Sequence, residues 1–144
     1  MAGNFIVNSE IILSTTNETN VLYVVNPATN TNKLSGITLT GTSLYNSTSI
    51  TFRVYVDPIV TNSGTSLPIL SKNFIDGNVS SMNAYLSPTV TSKGTKISIF
   101  SVVTSESDTL NTINWYLSHG HSFLVTAQLN NGNKGLGISM SWSE

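Results

Sequence analysis

Apolar and polar residues alternate with a period of two along most of this chain. Near the C-terminus Leu136, Ile138, Met140 and Trp142 interleave with Gly137, Ser139, Ser141 and Ser143, the pattern of a strand with one face on a core and one in water. Phe123, Val125, Ala127 and Leu129 alternate with Leu124, Thr126 and Gln128, and Asn130 to Gly135 supplies residues that accept positive φ. Together these segments predict a C-terminal hairpin. The same rhythm runs through Ile50, Phe52, Val54 and Val56, and more weakly through Ile37 and Leu39. Further strands are expected at residues 4 to 8, 10 to 14, 20 to 25, 67 to 70, 82 to 87, 96 to 103 and 113 to 117, bounded by Asn, Ser, Gly and Pro clusters. Residues 104 to 112, Thr-Ser-Glu-Ser-Asp-Thr-Leu-Asn-Thr, read as a loop. About eight or nine short strands without helical periodicity predict an all-β, antiparallel β-sandwich.

Composition narrows what such a sandwich does. The 144 residues suit one domain, 1–144, that builds a core without disulfides or metal. Serine, threonine and asparagine make up 58 of them, whereas charged residues are 9% and the net charge is −1. No basic footprint exists for nucleic acid or an anionic membrane, so neither is expected as a partner. Without cysteine there is no disulfide framework, Cys-ligated zinc or thiol nucleophile. The apolar run Val21 to Val25 is far short of the ~20 residues a spanning helix needs. No basic stretch or apolar run marks a secretion signal at the start of the chain. Residues 1 to 20, with the strand-like Phe5-Ile6-Val7, are a candidate N-terminal docking arm.

An internal repeat is the most specific feature. Residues 55 to 69, YVDPIVTNSGTSLPI, and 85 to 99, YLSPTVTSKGTKISI, share seven identities in fifteen at a spacing of thirty. Each matched position has a structural role: Pro58 and Pro88 end a strand because they cannot donate to a ladder, and Gly64 and Gly94 suit a turn needing positive φ. The repeat therefore reads as a duplicated strand-turn-strand unit, with paired loops presented to a partner as the functional alternative.

The order Tyr55-x-x-Pro58-x-Val60-Thr61-x-x-Gly64-Thr65, then Tyr85-x-Ser87-Pro88-x-Val90-Thr91-x-x-Gly94-Thr95, resembles small β-sandwich virion proteins of tailed bacteriophages. Leu22 to Pro27 looks like that family's early strand ending in Asn-Pro, and the strand through Trp142 looks like its closing strand. The resemblance implies a jelly-roll-like sandwich in the virion, made in the host cytoplasm. It implies work as head decoration or in a fibre, with copies of itself and the major capsid or other virion proteins as partners. Ile113 to His121 departs from the family, where a plainer apolar strand and a Pro/Asn turn are expected.

Candidate chemistry is sparse. His119 and His121 flank Gly120 and fall on one face of an extended segment, but a four-coordinate metal needs two more ligands and none is near in sequence. A polar turn is the favoured reading, with no metal and no cofactor. The acids Glu10, Glu18, Asp57, Asp76, Glu106, Asp108 and Glu144 are scattered, and no Gly-x-Ser-x-Gly elbow or phosphate loop occurs, so no enzyme is expected. Among aromatic residues, Trp142 is in phase with the core. Trp115 and Tyr116 are adjacent, so one faces outward, and Tyr55 and Tyr85 lie out of phase with their apolar neighbours. These four, Tyr55, Tyr85, Trp115 and Tyr116, are the candidate assembly or partner contacts, and surface glycan is the alternative ligand. The resulting expectation is a phage structural subunit, with a carbohydrate- or receptor-binding adhesin module as the competing function.

Overall fold

Strands form where β-branched and aromatic residues alternate with Ser and Thr, because such side chains pack well on a pleated surface with one wet face. The structure, a computed structural model, describes residues 3–31, 33–44, 49–71, 79–102, 107–113, 116–130 and 134–144, with backbone alone at 44, 107–113 and 134. Eight long strands carry the fold. The first four are β1 (Asn4–Leu13), β2 (Thr19–Val25), β3 (Ser35–Leu44) and β4 (Ile50–Val56). The last four are β10 (Thr95–Val102), β11 (Ser107–Ile113), β12 (Ser122–Leu129) and β13 (Lys134–Ser143). Between the two sets lie five short strands: β5 (Ile59–Asn62), β6 (Thr65–Leu67), β7 (Leu70–Ser71), β8 (Asn83–Leu86) and β9 (Thr89–Ser92).

The two sets pair as one long antiparallel hairpin. β1 pairs with β13, β2 with β12, β3 with β11 and β4 with β10. Successive pairs fall in alternate layers, and β13–β3 and β12–β4 contacts complete each layer. The sheets run β11-β3-β13-β1-β7 and β10-β4-β12-β2-β8-β6. A long hairpin wrapped in this way is the jelly roll, so the expected all-β antiparallel sandwich is the observed fold. The core lies between the layers. Phe5, Val7, Ile37, Leu39, Leu136, Ile138, Met140 and Trp142 meet Leu22, Val24, Phe52, Val54, Phe123, Val125 and Ala127 there, all buried.

Four sequence expectations need correction. β12 and β13 do not form a hairpin but belong to opposite layers; alternation shows which face is buried and leaves the partner strand unspecified. Of the loop expected at 104 to 112, residues 107–112 lie in β11 against β3, and 104–106 are outside the described residues. Of the expected strand at 113 to 117, Ile113 ends β11, and Tyr116–Leu117 lie in a loop whose one β-bridge is Leu34–Leu117 among the described residues. Strands 4 to 8 and 10 to 14 are one, β1, paired along its whole length with β13. That pairing places half of the candidate docking arm, residues 4–13, inside the sheet of its own chain.

The repeat builds a strap. β4 and β6 are four strand positions apart in their sheet, as are β8 and β10, a gap of about 19 Å. Each copy bridges that gap with a nine-residue step whose reach is about 30 Å. The inner face is filled by the core, so both arms cross the outer face, where they pair as the β5–β9 ribbon. Asn20, on that face, donates to Pro88 O at 3.2 Å.

The arms are related by a pseudo-twofold axis. Val60 pairs with its counterpart Val90, and Ile59–Ser92 mirrors Asn62–Thr89. Thr61 Oγ1 donates to Thr89 O while Thr91 Oγ1 donates to Ile59 O. Gly64 (φ 92°) and Gly94 (φ 84°) close equivalent turns. A Cβ at Gly64 would overlap the carbonyls of Leu86 and Ser87, and one at Gly94 those of Val56 and Asp57. Each arm thus locks the turn of the other.

The strap explains a burial that alternation misses. Across the six-stranded sheet the outer face carries the row Tyr85, Tyr23, Leu124, Tyr55. Leu124 is 0% exposed and Tyr55 9%, although both point away from the core. Substituting Gly64 or Gly94 by alanine should cost about 1–3 kcal/mol each, because positive φ and carbonyl overlap act together. Urea unfolding of the two single variants checks this, with similar losses expected from the symmetry.

Candidate functional site

One end of the sandwich gathers most of the chemistry. β4 runs out at Val56, and Asp57 turns the chain into the strap with φ 58°. That is an unfavourable conformation for a non-glycine residue, and more so before proline. The turn is held by two contacts to Ser122: Asp57 N–H donates to Ser122 O at 2.9 Å, and Ser122 N–H to Asp57 Oδ1 at 3.2 Å. The carboxylate also lies 2.8 Å from His121 Nδ1. A carboxylate accepts only, so Nδ1 carries the proton and Nε2 is the ring's remaining polar atom. Both side chains are about half exposed.

A buried asparagine positions the opposite wall. Asn26 is 0% exposed. Its Nδ2 donates to Leu117 O at 2.8 Å, its N–H to His121 O at 2.9 Å, and its carbonyl accepts from Gly120 N–H at 2.8 Å. Reciprocal Leu34–Leu117 backbone bonds fix the loop again. So tied, the loop sets Tyr116 outward, 74% exposed, and brings His121 to Asp57.

Two cavities flank the Asp57–His121 pair. The first, about 330 Å³, has apolar walls from Val56, Ile97, Leu117 and Phe123, with Tyr116 and Ser118 at its rim. The second, about 400 Å³, is lined by Tyr23, Asn26, Pro58 and Ser122 among others. Asp57 and His121 border both. No described residue lining either is Lys or Arg. Among the described residues no group of three or more His, Asp or Glu side chains is arranged to hold a metal.

Glu18, Arg53, Tyr55 and Glu144 belong to structural networks. Glu18 Oε2 accepts from Tyr55 Oη and Thr126 Oγ1, each at 2.6 Å, and Arg53 Nη1 stands 3.7 Å from Oε1 while donating to Gln128 Oε1 at 2.8 Å. Burial raises the Glu18 pKa, but the Thr126 and Tyr55 hydroxyls with Lys93 and Arg53 outweigh it and hold the carboxyl below its ordinary value. Burial and the Glu18 contact push the Tyr55 phenol up to about 12. Glu144 accepts from Ser81 N–H at 2.9 Å and Trp142 Nε1 at 2.9 Å, tying the last residue to the 80–81 segment.

The four expected contact residues are therefore not one patch. Tyr55 lies under the strap, bonded to Glu18. Tyr85 is half-buried with its ring 5.8 Å from that of Tyr23. Tyr116 stands at the cleft, and Trp115 lies outside the described residues. His119 and His121 do not act together: His119 is exposed in the turn, and His121 pairs with Asp57. Asn26 was not singled out in the sequence, and Asp57 was counted only among the scattered acids. The usable signal was the repeat itself, where Asp57 aligns with Ser87.

No protein-family model and no curated protein matches this sequence. Among solved structures the chain is similar to PirA, with a TM-score of 0.42, 13% identity and coverage of 96% of this chain and 94% of PirA. It is also similar to the Yersinia pseudotuberculosis-derived mitogen, with a TM-score of 0.45 and 9% identity over 95% of this chain and 84% of that one. A third likeness is to the cysteine protease and lectin-like domains of Cwp84, a surface layer associated protein of Clostridium difficile. There the TM-score is 0.43 at 13% identity, and the match takes 89% of this chain and 25% of that chain. These likenesses assign no function.

The Glu18 network gives a pH dependence with a definite sign. A carboxylate whose pKa is lowered on folding stabilises the fold fully above its unfolded value, near 4.5, and loses that contribution as pH falls through the lower folded value. Glu18→Gln should reduce stability at pH 7 and flatten the acid limb below about pH 4.5. Urea unfolding between pH 3 and pH 7 measures both, and an unchanged acid limb would remove Glu18 from the account.

Proposed function

We propose that this chain is a non-catalytic structural subunit of a tailed-bacteriophage particle, a head-decoration or fibre-associated protein that works through assembly contacts. The observation that carries the reading is the outer edge of the six-stranded sheet. β10 is eight residues long and pairs on one side only, with β4, among the described strands. From Ser98 to Val102 it bears no charge, and within that stretch Ile99 is 54% exposed on the outer face. Long edges of this kind are templates for pairing, and charges, bulges or partners cover them. Here Lys96 and the register shift at Ile97 guard only the start of the strand. A second copy meeting β10 about a twofold axis would join two sheets into one.

Two further features support assembly over catalysis. Glu18, Asp57 and Glu144 are engaged in contacts that hold loops and termini. The exposed surface is mainly hydroxyl and amide, which loses little on desolvation when paired across a contact. The competing reading, a carbohydrate- or receptor-binding module of a virion adhesin, is favoured by the cleft at Asp57.

Light scattering after gel filtration over roughly a hundredfold concentration range tests the edge. A closed oligomer is expected, and Ile99→Lys should drive it to monomer with the fold intact by circular dichroism. A monomer at every concentration would overturn pairing through β10. Absence of the chain from mass spectra of purified particles would overturn the virion assignment.

A further inference from the structure

We propose that the two cavities beside Asp57 and His121 are adjoining subsites for a neutral oligosaccharide. The inference does not depend on assembly through β10.

The pseudo-twofold strap supplies an internal control. Asp57 and Ser87 are equivalent: each follows the last residue of a strand, precedes proline and takes positive φ, 58° and 56°. Ser87 shows that this turn forms without a carboxylate. At Asp57 the carboxylate holds His121 beside two cavities, and it takes Ser122 N–H as well. The same backbone turn thus carries different chemistry in the two copies, and the difference sits where there is room for a ligand.

The lining chemistry selects the ligand class. Tyr116 offers an exposed ring at the rim, above walls of Ile97, Leu117 and Phe123. A pyranose has an apolar C–H face for such a ring and hydroxyls at its edge. Those hydroxyls would donate to the Asp57 carboxylate and to His121 Nε2, and exchange hydrogen bonds with the Ser118 hydroxyl. An anion finds no described Lys or Arg in either cavity and meets Asp57 instead, which disfavours phosphates, nucleotides and sulfated sugars. A wholly apolar ligand would strip water from the Asp57–His121 pair without replacing its hydrogen bonds. Volumes of about 330 and 400 Å³ on either side of one polar pair fit a chain of sugar units better than a single compact molecule. Asn26 contributes by positioning, since its three backbone contacts hold the loop that carries Tyr116 and His121.

The test uses the full chain against a panel of neutral oligosaccharides built from glucose, mannose, galactose or N-acetylglucosamine, with heparin-derived oligosaccharides as the anionic comparison. The neutral tetrasaccharide giving the strongest signal is then titrated by calorimetry. Tyr116→Ala and Asp57→Ser should each weaken binding about tenfold or more. Asp57→Ser loses the carboxylate contacts to Ser122 N–H and His121 but keeps the backbone bond to Ser122 O, so it should stay folded with a small drop in melting temperature, as serine at position 87 makes the same turn. Binding only to sulfated sugars, or to none of the panel, overturns the proposal. So does a bound neutral sugar whose affinity is unchanged by Tyr116→Ala, or an Asp57→Ser variant that stays folded and keeps affinity.

Discussion

A pleated strand has two faces, and in this sandwich both faces of the six-stranded sheet are apolar near its middle. The inner face packs against the other layer. The outer face carries Tyr85, Tyr23, Leu124 and Tyr55 side by side, with Leu124 fully buried. Left in water, that row would forfeit roughly 1.5–3 kcal/mol for each large side chain. The strap formed by the two repeat copies covers it. Much of what is unusual in the molecule follows from that cover, because a chain crossing three strands and returning must turn sharply at both ends.

Those turns are where local strain and chemistry meet. Each arm leaves its strand through a residue with positive φ followed by proline, and each is clamped by a glycine of the other arm. The cost of the strained residues, about 1–3 kcal/mol each, is offset by burial beneath the ribbon and by the backbone bonds Asp57 N–H to Ser122 O and Ser87 N–H to Val21 O. One turn then acquires an imidazole from the loop before β12. Strain that serves only architecture at Ser87 also supports a polar pair between two cavities at Asp57.

Electrostatics are local in so weakly charged a chain. Glu18, Arg53, Tyr55, Thr126 and Gln128 form a single network on the outer face, under and beside the strap, and it fastens the segment before β2 to β4 and β12. The hydroxyls of Tyr55 and Thr126 stabilise the Glu18 charge, and the same contact makes the Tyr55 phenol harder to ionise. Tyr55 is therefore part of the scaffold. Tyr116 and the β10 edge remain as outward-facing surface.

Period-two alternation in the amino-acid sequence determined the fold class, the inward face of the long strands and the burial of Trp142. Residue identities at a spacing of thirty located the repeat and its turns at Gly64 and Gly94, because positive φ is a local requirement that glycine reveals. Strand partners were decided only by the tertiary structure. β12 and β13 carry hairpin-like spacing yet lie in opposite layers, since alternation encodes a face and two facing layers bury the same faces as one hairpin would. β11 looked like a loop because its pattern, Ser-Asp-Thr-Leu-Asn-Thr-Ile, is nearly all polar, and pairing with β3 through backbone bonds needs no apolar face. The meeting of Asp57 with His121, and of Tyr55 with Glu18, joins residues 64 and 37 positions apart. No local pattern encodes such contacts, because they depend on the strap crossing the sheet and on Asn26 holding the opposite loop.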